Sequence, residues 1–317
     1  MSARPTPYGR VYTPRNQHPY RPPAVDSLAD SGIRYIRLQW TDFTNLTRFR
    51  VLPLATFLAL LESESPGVGI TKAAFGLVGA TLAEGFSVTG EYVYVPDTES
   101  LRICDYAPGH ASVMGWFERK EPEAHMVKLC PRTLLKRIEE EEAAAASIEF
   151  LVGIKTEFVL LDSIDPITPA SNGPWSSSAK LRSGSISTVI LEDIAECDVV
   201  TGPLAPLQAA DALVFTRETI YNIASKHGKR ATFAPRLFTD ECGSAANVSI
   251  SVHRMDISND HTDDNVMNAL ERSFLQGVLN HAPGPRGADA PHARIVRPRA
   301  GQHLVGRHVR LLGARQP

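Results

Sequence analysis

Lys155 and Glu157 stand two residues apart in Phe150-Leu-Val-Gly-Ile-Lys-Thr-Glu-Phe-Val-Leu-Leu161, a stretch whose ends are apolar and rich in β-branched and aromatic residues. That composition reads as a buried strand, and a spacing of two puts both charges on one face of it. Unpaired burial of a charge costs several kcal/mol, so a charged pair here either lines a cavity that holds a ligand or sits at the solvated end of an edge strand. A second polar row lies downstream. After Gly243-Ser244, the alternating stretch to Val252 places Asn247, Ser249 and Ser251 on one strand face, as a cavity wall or facing solvent. Glu139 to Glu142 is an acidic run on a predicted helix. Consecutive helical positions diverge by about 100°, so the four carboxylates cannot converge on one ion, and a solvated face is the expectation.

The elements that must position these residues follow from periodicity. Residues 1–30 are rich in Pro and Arg and read as a disordered arm. Ile33–Trp40 and Thr47–Leu52 alternate around a turn-like Thr41–Leu46, which predicts a hairpin closed by Pro53. A short helix is expected over Leu54–Leu61. Strands are expected at Tyr92–Val95, Leu101–Cys104 and Ala111–Phe117. Pro131 opens a helix running towards Ala146. Asp165 to Ser187 is Pro/Ser/Gly-rich and predicts a surface loop, and Val189–Ala195 a short amphipathic piece. A long helix is expected from Leu207 to His227, stopped by Gly228, with His227 favouring the helix C-terminus and Arg217 and Glu218 on a solvated face. Ala231–Pro235 reads as a further strand.

Composition sets outer bounds. The 317 residues are 43% hydrophobic and 21% charged with a net charge of −2, which suits a globular chain and gives no argument for nucleic acid or an anionic membrane as partner. Cys104, Cys130, Cys197 and Cys242 lie far apart without zinc spacing, as thiols of a reducing compartment. No apolar run is long enough to span a bilayer, and the expected location is cytoplasmic.

Several blocks together resemble the glutamine synthetase family, of the type I-like kind found in bacteria and fungi. They are Pro206-Leu-Gln-Ala-Ala-Asp211, His227-Gly-Lys-Arg-Ala-Thr-Phe-Ala-Pro235, Gly243-Ser244 leading into its strand, and Gly153-Ile-Lys-Thr-Glu-Phe158. The hairpin from Arg34 to Pro53, with Asp42 in its turn, is similar to the family's N-terminal β-grasp domain. The resemblance implies an α+β fold: a β-grasp domain over residues 31–120 and an incomplete catalytic domain over residues 121–280, an antiparallel half-barrel sheet with helices. An irregular Arg/Pro/Gly-rich tail then covers residues 281–317. It implies ATP and Mg²⁺ or Mn²⁺ as cofactors, glutamate and ammonia or an amine as substrates, and a homo-oligomer.

Carried over by position, the resemblance makes Glu157 and, more weakly, Asp198 metal ligands, and Gly243, Ser244, Asn247, Ser249 and Ser251 the nucleotide-phosphate region. The departures are equally specific. Lys155 replaces a metal-binding Glu, Asn247 a metal-binding His, and Ser249 a second His. An internal deletion is expected near residues 197–199. The sequence therefore supports three readings: a ligase, an inactive homologue acting as a binding or assembly subunit, or a truncated gene product.

Overall fold

The computed structural model describes residues 20–84, 86–120, 127, 130–143, 145–170, 186–191, 196–235, 237–238, 244, 246–255, 269–281 and 309–312. Two compact units result. One comprises Tyr20–Ile138 and Val214–Asn222; the other comprises Met1–Pro19, Glu139–Leu213 and Ile223–Pro317.

In the N-terminal unit, β1 (Tyr35–Thr41) and β2 (Thr47–Pro53) form the predicted hairpin, followed by α1 (Leu54–Leu61). Short strands β3 (Val68–Thr71), β4 (Leu77–Val78) and β5 (Thr81–Leu82) precede β6 (Glu91–Pro96) and β7 (Arg102–Ile103). The stretch read as one strand from Ala111 to Phe117 is two, β8 (His110–Val113) and β9 (Gly115–Glu118). They break at Met114 because each joins a different sheet. β8 runs parallel to β1 in the order β2-β1-β8-β7, and β9 pairs with β6 in the order β3-β6-β9. Hairpin, helix and parallel return strand make the β-grasp arrangement. Its core holds Ile36, Leu38, Phe57, Phe75, Tyr94, Val113 and Phe117, all nearly or fully buried, each adding about 1.5–3 kcal/mol of hydrophobic stabilisation. The helix opened by Pro131 is α2 (Pro131–Arg137), which passes into a wider π-type turn over Ile138–Ala143.

The second unit is organised on β10 (Ile148–Ile164), which runs straight through the Lys155–Glu157 stretch. Within the expected surface loop lies β11 (Ile167–Pro169), folded back on β10. Next come β12 (Ile186–Leu191) and β13 (Glu196–Leu204), then α3 (Pro206–Lys226) and β14 (Arg230–Thr232). β15 (Ala246–Arg254) is the alternating strand, α4 (Ala269–His281) follows, and β16 (Val309–Leu312) lies in the stretch read as an irregular tail. Among the described residues the sheet has seven strands in the order β12-β13-β10-β15-β16, with β11 and β14 also on β10, and its pairings are antiparallel. One face buries Val152, Ile154, Val248 and Ile250 against Leu204, Ala209, Ala212 and Leu213. Small Ala residues on α3 let the helix approach the sheet closely. Gly228, at φ +69°, ends that helix in the left-handed conformation that glycine adopts without strain.

Candidate functional site

The other face of β10 carries the chemistry. Alternation sends Val152 and Ile154 into the helix-covered core, so Lys155 and Glu157 emerge on the opposite side. The Lys155 ammonium lies 3.0 Å from Glu157 Oε1, with side chains 29% and 14% exposed. At that distance and an effective dielectric of about 20, the gross attraction is roughly 5 kcal/mol, most of it offset by desolvation. The pair is thus a partly buried ion pair rather than the solvated tip of an edge strand, because β10 has β13 on one side and β15 on the other.

Register brings the second polar row alongside. Lys155 is opposite Asn247, Gly153 opposite Ser249, and Leu151 opposite Ser251. Asn247 is 4% exposed, and its Oδ1 finds no donor among the described residues. Ser251 Oγ lies 2.9 Å from His253 Nε2, a contact between two residues on one strand face that spacing alone did not single out. Ser244 donates to the Ala234 carbonyl at 3.0 Å, which ties the chain before β15 to the segment after β14. Asp198 is the cross-strand partner of Glu157 in β13. Its side chain, like Gly243 as a whole, lies outside the described residues.

Around this face, two sequence expectations change. Glu140 and Glu141 are exposed as expected, but Glu139 is half-buried and accepts a hydrogen bond from the Leu207 backbone N–H at 3.3 Å. A carboxylate there satisfies an orphan donor of α3, whose N-cap Ala205 has no side-chain acceptor, and complements the helix dipole. Arg217 and Glu218 are half-buried rather than solvated. Burial pushes the Glu218 carboxyl up, against the lowering effect of Arg37 and a hydrogen bond from Thr47; burial pulls the Arg217 guanidinium down. His227 caps α3 through its backbone N–H, bonded to the Ile223 and Ala224 carbonyls.

The donor set of the face is mixed. A carboxylate and an amide oxygen suit a cation, yet a cation of the chain itself already lies against the carboxylate. Hard divalent ions need several oxygen ligands and tolerate no ammonium in their coordination shell, so the residues present do not fit a divalent ion at Glu157. Among the described residues no group of three or more His, Cys, Asp or Glu is gathered closely enough to hold a metal. No helix of the described residues is long and apolar enough to cross a membrane.

Comparison with known proteins reads this architecture. The profile of the glutamine synthetase catalytic domain matches residues 193–292, which includes α3 and β15. The chain is 28% identical over 285 residues to Protein fluG of Emericella nidulans, covering 80% of this chain and 31% of that protein. These are similarities to the glutamine synthetase family. The chain is 26% identical over 295 residues to the γ-glutamylpolyamine synthetase GlnA3 of Streptomyces coelicolor, covering 83% of this chain and 61% of that protein. In fold, it superposes on a crystal structure of a glutamine synthase homologue with a TM-score of 0.66 at 23% identity, over 82% of this chain and 66% of the other. A structure of GmaS in complex with ADP gives 0.64 at 19% identity, over 81% and 62%. The chain thus spans less than two thirds of the length of each of these relatives. The family's α+β fold, with its helix-backed antiparallel sheet, is the fold seen here.

Proposed function

We propose that this chain is a glutamine synthetase-like protein in which the family's reaction, ATP-dependent ligation of ammonia or an amine to the γ-carboxylate of glutamate, is impaired or absent. The observation that carries this reading is the Lys155 ammonium 3.0 Å from Glu157 Oε1. Glu157 is the carboxylate that the resemblance makes a ligand of Mg²⁺ or Mn²⁺. A divalent ion about 4 Å from a lysine ammonium meets a repulsion on the order of 8 kcal/mol at an effective dielectric of about 20. Asn247 adds a neutral amide where the resemblance expects an imidazole, so the lost charge and ligand are not restored from β15. Phosphoryl transfer to a carboxylate depends on cations that neutralise the phosphates, and a site that repels them turns over poorly.

A second reading has support in the N-terminal unit: an inactive homologue that acts as a binding or assembly subunit, in a homo-oligomer. That unit has a closed aromatic and aliphatic core of its own, so it can present a stable surface whatever happens at Glu157. The deciding experiment is calorimetry of ATP binding with Mg²⁺ or Mn²⁺, on the parent chain and on a Lys155→Glu, Asn247→His double variant. The expected result is no metal-dependent binding in the parent and recovery in the double variant. Tight metal-dependent binding or glutamine formation by the parent returns the chain to the active ligases.

A further inference from the structure

We infer that Ser65 is a phosphoacceptor for a proline-directed protein kinase, and that its phosphate loosens the C-terminal turn of α1. The inference stands apart from the chemistry at Glu157. Serine or threonine precedes proline at Thr6, Thr13, Ser65 and Thr168. Thr6 and Thr13 lie outside the described residues. Thr168 is held in β11, paired with Ser163 of β10, and its hydroxyl donates to the Pro166 carbonyl at 3.2 Å. Ser65 is presented quite differently. It lies between α1 and β3, in neither helix nor strand, and Glu62, Ser63, Glu64 and Ser65 are all exposed. Pro66 disfavours the helical conformation at Ser65 and holds it extended. The chain bends just beyond, where the Gly67 N–H donates to the Ser65 carbonyl at 2.7 Å. An exposed, extended serine followed by a residue without an N–H suits a kinase cleft whose next pocket is apolar and offers that residue no acceptor.

In the transfer, the Ser65 hydroxyl oxygen bonds to the γ-phosphorus of ATP and the bond from that phosphorus to the β–γ bridging oxygen breaks. ADP leaves, and the serine proton passes to the kinase's catalytic carboxylate. The product meets a helix end that already carries the wrong charge. A helix C-terminus favours cations, yet the last turn of α1 has no basic residue, and Glu62 and Glu64 follow it. Few bonds close that turn. The Glu62 N–H donates to the Leu58 carbonyl at 3.2 Å, and the Ser63 N–H and hydroxyl donate to the Leu60 carbonyl at 3.2 and 2.7 Å. A phosphate close by adds repulsion from both glutamates and from the helix dipole. Leu54 and Phe57, nearer the start of α1, stay anchored in the core, so the loosening is confined to the last turn.

The test treats the full chain and its Ser65→Ala variant with a cyclin-dependent kinase complex and Mg²⁺-ATP, and maps the phosphates by peptide mass spectrometry. Hydrogen exchange and a thermal melt follow on both treated proteins. Ser65→Ala carries whatever phosphate Thr6 and Thr13 accept, so the difference between the two isolates Ser65. The expected result is near-complete phosphorylation of Ser65 with Thr168 left unmodified. The Glu62 and Ser63 amides of the phosphorylated parent should then exchange severalfold faster than those of treated Ser65→Ala, with Tm lower by roughly 3 °C. A Ser65 that takes no phosphate, or a Thr168 modified as fast as Ser65, overturns the presentation argued above. A phosphorylated parent whose exchange and Tm match those of treated Ser65→Ala overturns the effect on α1.

Discussion

Replacing Asp42 with alanine should destabilise the N-terminal unit by about 3 kcal/mol. The Asp42 side chain is fully buried in the β1–β2 turn. One carboxylate oxygen accepts from the Thr44 N–H at 2.9 Å, the Thr44 hydroxyl at 2.6 Å and the Leu46 N–H at 3.0 Å; the other accepts from Arg48 Nε. Hydrogen bonds to a charged acceptor contribute about 1.5–3 kcal/mol each, and alanine strands two backbone donors and an arginine that keeps only its bond to the Leu77 carbonyl. Water reaches part of this turn and recovers some of the loss, which brings the sum down to the stated figure. For a unit of this size the fall in Tm is roughly 10 °C. The assay is a melt followed by tryptophan fluorescence, because Trp40 lies two residues away and packs on Tyr94 and Phe117. The pH dependence supplies a second arm. Burial would raise the Asp42 carboxyl, but the hydrogen bonds from Thr44, Leu46 and Arg48 outweigh it and hold the group below its ordinary range. A depressed carboxyl contributes stability that is present above the unfolded pKa of about 3.9 and is lost as pH falls through the folded value. The gap between parent and Asp42→Asn should therefore be widest at about pH 7 and close on acidification. An Asp42→Ala variant melting within about 1 °C of the parent, or a gap constant down to about pH 2, refutes the reasoning.

Two further expectations come from the same structure. Gly202 sits at φ +93°, and an added Cβ would meet the Val152 carbonyl oxygen at 2.5 Å. Gly202→Ala should cost about 2 kcal/mol or more, read as a lower denaturant midpoint at unchanged slope; a midpoint equal to the parent's contradicts the clash. Glu218 has its carboxyl raised chiefly by burial, so its stability contribution is full below the unfolded pKa and falls as pH rises through the folded value. Glu218→Gln should be more stable than the parent at about pH 8, with the gain gone below about pH 4; a gain independent of pH rules out the cause given.

Local rules found the hairpin, α1, α3, β10 and β15, because each has a clear period, a glycine or a proline at its boundary. They also placed Lys155 and Glu157 on one face of their strand, and Asn247, Ser249 and Ser251 on one face of another. What they missed depends on partners far along the chain. No local signal marks β13, which Gly202-Pro203 interrupts; ladders with β10 and β12 hold it extended. Glu218 looked solvated because the Leu207–His227 periodicity says nothing of Thr47 and Arg37, some 170 residues earlier, which meet its carboxyl in the N-terminal unit. Glu139 belonged to a run of four acids that differ in role only because one of them reaches the Leu207 N–H. The Lys155–Glu157 contact needed only a spacing of two; the stranded Asn247 oxygen needed the ladder.

The hub position of β10 has a consequence for how this protein is made. Its partner β15 begins roughly 80 residues after β10 ends. At a synthesis rate of about 5–20 residues per second, one side of the longest strand waits about 4–16 s for its neighbour to be translated. Throughout that interval Leu151, Val152 and Ile154 belong to an unpaired edge, a template for pairing with any other nascent chain. That window is set by the order of strands along the chain, so its yield in cells should follow translation speed and the supply of chaperones that cover unpaired edges more closely than its melting temperature.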